Sequence, residues 1–229
     1  MLRLKHTKPL ISGANRRVFQ HPDNEGWLVK VIREDVVENF RNGGPTKRKK
    51  GRSYNYPRRH GIYTSFFREI DEYLAIKARF DEPILCIQPI FGIVETDLGL
   101  GLVVEKLRGR DGNLAPTLLM LVRTFGFTHE LRTKFNEYID MIISRDIVTS
   151  DFHPNNIVYA SDEMHGERFV LVDGLGEKAL IPVNKYSRLI NRRSNLRRSL
   201  SAIRKLERLE LPRQKNIHPA SKYATPRMP

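Results

Sequence analysis

The stretch TSDFHPNNIVY, Thr149–Tyr159, sets an aspartate five positions ahead of an asparagine and runs directly into a short apolar strand pattern. Asp, Pro and Asn each favour turns through local hydrogen bonding or a fixed φ, so the stretch is a turn by its local chemistry. Whether it is also a reactive loop depends on what partners the rest of the chain supplies, and the elements on either side define those partners.

Upstream, PLISGANRRVFQHP from Pro9 reads as strand, Gly-containing bend and strand. WLVKVI at 27–32 adds a strand that alternates around Lys30, giving an antiparallel meander. TSFFREIDEYLAIKARF at 64–80 places Phe66, Ile70, Tyr73, Leu74 and Lys77 at helical spacing, with Phe67 widening the stripe. IQPIFGIVET and LGLVVEKL flank the turn signal Asp97-Leu98-Gly99 and read as a hairpin. NLAPTLLMLVRTFGF predicts one helix, and HELRTKFNEYIDMIIS a second with Leu131, Phe135, Tyr138, Ile139 and Ile142 on one face. Downstream of the quoted loop, NIVYA and RFVLVD form two short strands. NKYSRLINRRSNLRRSLSAIRKLERL then predicts one or two helices, with Leu189, Leu196, Leu200, Ile203 and Leu206 near helical spacing. The order is strand-rich, then helical: an α+β chain with a strand-rich first lobe over 1–107, a short helical second lobe over 108–211, and a Pro-rich flexible tail over 212–229.

The 229 residues are enough for a real core. No stretch approaches the roughly 20 apolar residues of a membrane span, and MLRLKHTK lacks the apolar middle of a signal peptide, so a cytoplasmic protein without a transmembrane segment is expected. The single cysteine, Cys86, lies in the apolar run PILCIQPI and reads as a buried, inert thiol. Of the net charge of +14, residues 41–61 hold +8 and residues 185–229 hold +11, so the remainder of the chain is at −5. The basicity therefore sits in one insertion, read as a loop, and one tail. Either could meet an acidic partner or a nucleic acid, which makes a basic nucleic-acid-binding module one alternative.

Phosphoryl transfer from a nucleotide needs a cation on the donor phosphates, an acid to fix that cation, oxygen ligands for Mg²⁺ and a carboxylate at the acceptor hydroxyl. Lys30 is the candidate cation, because its stem can pack in a strand while its ammonium reaches out. Glu69 or Glu72 on the following helix can pair with it, and Glu69 is favoured because it is turned towards the sheet. RFVLVDGLGE ends a strand on Asp173 followed by Gly174 and Gly176, which permits close approach of an ion to the backbone.

In chain order, Gly13, Lys30, Glu69, Glu105, Asp151, Asn156 and Asp173 follow the order of the protein-kinase-like fold. IVTSDFHPNNIVY resembles its catalytic loop in the D-x-H-P-x-N form of small-molecule and atypical kinases. VVEKL resembles the hinge, VDGLG stands where Asp-Phe-Gly would be, and FFREI resembles the helix that supplies the pairing glutamate. More narrowly, ISGANRRVFQHPD, IFGIVETDLGLGLVVE, IVTSDFHPNNIVY and VDGLGEKALIPV together resemble the bacterial YrbL family of PhoP regulatory network proteins, over roughly residues 8–190.

The resemblance implies a bilobal kinase-like fold using ATP and Mg²⁺ on an unidentified acceptor. Lys30 would contact the α/β-phosphates with Glu69 as its partner, Asp151 would be the catalytic base, and Asn156 and Asp173 the Mg²⁺ ligands. Adenine would lie on the backbone near Glu105 and Leu107, and His153 would stabilise the loop. GANRRVF keeps one glycine, Gly13, where such phosphate loops usually have several, and Arg16 or Arg17 could replace part of that contact. Only 56 residues follow Asp173, which disfavours a conventional protein kinase. A pseudokinase acting as a nucleotide-binding regulatory module is the other alternative.

Overall fold

A computed structural model describes residues 1–42, 46–49, 52–54, 59–179 and 182–214, with side chains described outside 43–58 and 210–214. Five strands form one antiparallel sheet: β1 (Ile11–Ser12), β2 (Arg16–Gln20), β3 (Trp27–Ile32), β6 (Ile90–Thr96) and β7 (Gly99–Glu105), in the order β1-β2-β3-β7-β6. The meander and the hairpin are as the sequence predicts. In β3 the period of two sends Leu28, Lys30 and Ile32 to one face and Val29 and Val31 to the other. Val29 and Val31 pack with Leu4 and Phe19, while Leu28 and Ile32 join Phe66, Leu102 and Val104.

One expectation for the region between β3 and β6 is corrected, and one element is added. EDVVENFR, for which the sequence made no assignment, forms a short helix, α1 (Glu34–Arg41), whose buried side chain is Val36. The basic insertion contains a two-stranded pair, β4 (Thr46–Lys49) and β5 (Arg52–Tyr54), where a loop was expected. The basic side chains at 43–58, and with them any contact to a nucleic acid there, lie outside the described residues.

The predicted helix at 64–80 is α2 (Thr64–Lys77), but its inward face differs from the apolar stripe. Leu74 and Lys77 point to solvent, and Glu69 and Glu72 are buried beside Phe66 and Ile76. Two carboxylates on the inner face of a helix require partners. Both have them, as set out below.

The second half holds α3 (Leu118–Phe125) and α4 (His129–Ser144), whose N-termini are capped by the hydroxyls of Thr117 and Thr128. Phe135, Tyr138, Ile139 and Ile142 of α4 are buried as the spacing predicts. The hairpin β8 (Ile157–Asp162) and β9 (Gly166–Leu171) packs on α4 through Phe169. Residues 86–88 run beside β9, with Leu171 N–H on the Cys86 carbonyl at 2.9 Å and Gln88 N–H on the Leu171 carbonyl at 2.9 Å. This strip stitches the sheet to the helical half. Cys86 is fully buried there, and burial pushes its thiol up to about 12, so it stays protonated and unreactive.

The chain continues through α5 (Val183–Tyr186) and α6 (Arg188–Gln214), a helix of 27 residues that carries on past Leu211. The rest of the tail lies outside the described residues. The buried face of α6 meets the predicted apolar stripe only at its C-terminal end, where Leu206 is buried and Ile203 packs on the core; Leu189 is 80%, Leu196 41% and Leu200 50% exposed. It runs instead through Asn191, Asn195, Ser199, Ala202 and Leu206. The reason is polar. The loop 146–149 presents backbone and hydroxyl groups to this helix, and an apolar face would leave them unsatisfied. Asn195 Nδ2 donates to the Ile147 carbonyl at 2.8 Å, and its Oδ1 accepts from Thr149 Oγ1 at 2.8 Å. Asn191 Nδ2 donates to Asp146 Oδ1 at 2.7 Å.

Replacing Asn195 by Leu, similar in volume but without hydrogen-bonding atoms, orphans the Thr149 hydroxyl and leaves the Ile147 carbonyl only the longer bond from Asn191 Nδ2 at 3.3 Å. Urea unfolding is expected to show a loss of roughly 2–4 kcal/mol. An unchanged midpoint would contradict the polar account of this interface.

Candidate active site

The stretch Val148–Asp151 runs antiparallel to Gly174–Gly176. Ser150 N–H donates to the Gly174 carbonyl at 2.7 Å and Gly176 N–H to the Val148 carbonyl at 2.8 Å. The two glycines are required by space as well as by backbone. Both have positive φ, 88° and 81°. A Cβ on Gly174 would lie 2.7 Å from the Asp151 carbonyl oxygen, and one on Gly176 would lie 2.5 Å from that of Arg68 in α2. This close approach sets Asp173 beside Asp151. Val172 N–H donates to the Asn156 carbonyl at 2.8 Å, which brings Asn156 to the same place. All three polar residues of the loop and strand-end motifs thus converge.

Lys30 reaches them from β3. Its Nζ donates to the Val172 carbonyl at 2.5 Å and to Gln88 Oε1 at 2.8 Å. Burial lowers its pKa, while the nearby carboxylates of Glu69 and Asp173 act in the opposite direction. Asp173 is held below the usual carboxylate range: burial alone would raise it, but Arg16, Lys30 and the Gly174 N–H outweigh that effect. The Asp173 side chain is 48% exposed, so part of it stays open to solvent.

The expected Lys30–Glu69 ion pair is replaced by another. Arg16 Nη2 donates to Glu69 Oε1 at 2.5 Å, and its Nη1 lies 3.8 Å from Asp173 Oδ1. The Arg16 guanidinium also sits over the Phe66 ring, 5.1 Å from its centroid. With 11% of its side chain exposed, Arg16 points inward and locks α2 to the sheet, while Arg17 lies outside near Glu34 at 3.8 Å. The Gly13 N–H is used in its own turn, donating to the Arg16 carbonyl at 2.8 Å.

At the connector, the Glu105 carbonyl accepts from Gln88 Nε2 at 2.7 Å and the Leu107 carbonyl from Ala115 N–H at 3.0 Å. The Leu107 N–H has no partner among the described residues. Glu105 lines a cleft of about 360 Å³ with Tyr73, Lys77, Ile87 and Arg168. Burial raises its carboxyl there despite Arg168.

Sequence reading missed Gln88, the residue that bridges Lys30 to the Glu105 carbonyl. Its only signal is that it is the one polar side chain in PILCIQPI. It also missed Lys178, whose Nζ is 3.7 Å from Asp151 Oδ2. His153 accepts from Asn155 N–H at 3.1 Å, in keeping with a role in shaping the loop. Among the described residues no group of three or more His, Cys, Asp or Glu could hold a metal by itself. Asn156 and Asp173, drawn together through the Val172 N–H on the Asn156 carbonyl, bring an amide and a carboxylate, donor types that fit a hard cation drawing its other ligands from phosphate and water. Among the described residues no helix is long and apolar enough to cross a membrane.

The molecule is thus an α+β protein with a charged cluster where an antiparallel sheet meets an aspartate-bearing loop. The family described as PhoP regulatory network protein YrbL matches residues 2–207, and the chain belongs to that family. It is similar to the uncharacterized protein YrbL of Escherichia coli (strain K12) and to that of Shigella flexneri. Identity to each is 24% over 191 residues, covering 82% of this chain and 80% of the relative.

Glu72, on the same buried face of α2 as Glu69, accepts from Val148 N–H at 2.9 Å and so ties the helix to the loop. Burial raises its carboxyl to about 7, against the smaller opposing effects of that hydrogen bond and of Arg79. Folding therefore takes up a proton at Glu72 between the ordinary 4.5 and about 7. Its contribution to stability is fully present below the lower value and lost as pH rises to the upper one. Glu72→Gln keeps the acceptor and removes the titration. Its stability should match the parent's near pH 4.5 and exceed it by about 3 kcal/mol at pH 8. Parallel pH profiles of the two proteins in urea unfolding would contradict this.

Proposed function

We propose that the chain is an ATP- and Mg²⁺-dependent phosphotransferase of kinase-like, bilobal fold that phosphorylates a hydroxyl on an acceptor other than a conventional protein substrate. The observation that carries this reading is the convergence of Lys30, Asp173, Asn156 and Asp151 from three distant segments on one place. The sheet order β1-β2-β3-β7-β6, with α2 packed on the Lys30 face, supports it.

In this reading the Lys30 ammonium exchanges its contact with the Val172 carbonyl for the α/β-phosphates. Asn156 and Asp173 hold Mg²⁺, which neutralises charge on the phosphates when bound. Asp151 takes the acceptor's proton. The adenine lies at the connector, where the Leu107 N–H is a donor without a partner among the described residues. The Glu105 carbonyl, occupied by Gln88, is not assigned to the base.

A second reading, a pseudokinase that binds nucleotide without turnover, is favoured by one feature. The Gly13 N–H is spent within its turn and the Arg16 side chain on Glu69, so neither serves the phosphates as placed.

Mg²⁺–ATP at millimolar concentration is expected to raise the melting temperature. ADP release or phosphate transfer to cell-extract small molecules should fall about a hundredfold or more in Asp151→Asn while the melting shift remains. A melting shift without turnover in the parent protein selects the pseudokinase reading. Absence of any shift sinks both.

A further inference from the structure

The acceptor's chemistry can be read from the side chains around Asp151. Lys178 approaches its carboxylate to 3.7 Å, and both side chains are about half exposed, 47% and 45%. From α6, Arg198 comes within electrostatic reach of Glu177 and Asp151. Its Nη1 is enclosed by protein and has no hydrogen-bond partner among the described residues. An arginine on a helix surface is ordinarily solvated, and an enclosed, unbonded guanidinium nitrogen is costly. Burial even depresses its pKa. The carboxylate that attracts it most, Glu177, is 6% exposed and accepts from both the backbone N–H and the side-chain amide of Asn184.

Seven residues, or two turns, further along the same face of α6 is Lys205, with its Nζ against His153 Nε2. His153 accepts at Nδ1 from Asn155 N–H. The Lys205 ammonium is in direct contact with this ring and so adds a positive charge beside the loop. Arg198, Lys178 and Lys205 thus line Asp151–His153 with positive charge.

We infer, resting on the phosphotransferase reading, that the acceptor is a small molecule carrying an oxyanion, phosphate or carboxylate, beside its reacting hydroxyl, and that Arg198 and Lys178 hold this oxyanion next to Asp151. Anion site and proton acceptor lie within one side chain's reach, so anion and hydroxyl belong to one compact molecule. In the reaction the acceptor hydroxyl oxygen bonds to the γ-phosphorus of ATP. The bond from that phosphorus to the bridging oxygen breaks, and its electron pair leaves with ADP. The hydroxyl proton passes to Asp151 and then to water. A planar guanidinium paired with an ammonium is suited to orienting such an oxyanion.

The test titrates the full chain calorimetrically with inorganic phosphate, glycerol 3-phosphate, glycerate and neutral glycerol, alone and with saturating Mg²⁺–ADP to keep the anions out of the nucleotide site. At least one anion is expected to bind under both conditions, and glycerol is not. Arg198→Gln and Lys178→Gln should each weaken anion binding about tenfold. Arg193→Gln, on a different and exposed face of α6, should leave it unchanged. Equal binding of glycerol, anion binding untouched by both variants, or no anion binding at about 10 mM overturns the inference. The parent reading is judged separately. Anion binding without any Mg²⁺–ATP melting shift leaves an oxyanion site in a protein that is not a phosphotransferase. A melting shift without anion binding retains the nucleotide site and removes this one.

Discussion

The buried ammonium of Lys30 is the contact on which the arrangement turns. Taking a lysine out of water is expensive, and the cost is met by two short hydrogen bonds, to Val172 and Gln88, and by the fields of Glu69 and Asp173. Its partners belong to different parts of the chain. Gln88 lies in the strip beside β9, and it also donates to the Glu105 carbonyl at the end of β7. Val172 immediately precedes Asp173 and bonds Asn156 through its N–H. One cation therefore sets the register between the sheet, the connector and the loop that carries Asp151. In the proposed function the same cation meets the nucleotide's phosphates.

Around that centre the loop is held by side chains more than by a backbone ladder. Glu72 from α2 takes the Val148 N–H, and Asn195 from α6 takes the Ile147 carbonyl and the Thr149 hydroxyl. Arg16 and Glu69 add a nearly dry ion pair between β2 and α2. Buried polar contacts of this kind contribute little net stability when complete and cost several kcal/mol when one partner is removed. They favour a single arrangement of Asp151, Asn156 and Asp173 over a looser, apolar one.

Much of this was legible in the sequence, and the misses have physical causes. The hairpin announced itself through Asp97-Leu98-Gly99, α4 through the spacing of Phe135, Tyr138 and Ile142, and the loop and strand-end motifs through their spacing and order. The partner of Glu69 was not legible, because β2 places Arg16 closer than Lys30 and no linear pattern encodes that choice. The α6 stripe misled because Leu189, Leu196 and Leu200 satisfy the periodicity, while the face that packs is chosen by the unmet hydrogen bonds of residues 146–149. Gln88 was hidden in an apolar run whose other members are ordinary core. A periodicity reading assigns polar residues outward, so it fails where a buried network holds the site together.

The central claim is that Lys30 lies at the phosphates of a bound nucleotide. It is tested most directly with an acyl-phosphate derivative of ATP, which transfers its acyl group to a lysine amine held at the phosphates and releases the nucleotide. Peptide mapping after reaction with the full chain should find Lys30 acylated, with labelling abolished by prior addition of Mg²⁺–ATP. Labelling confined to surface lysines such as Lys178 or Lys185, or labelling of Lys30 that Mg²⁺–ATP leaves unchanged, would contradict the account.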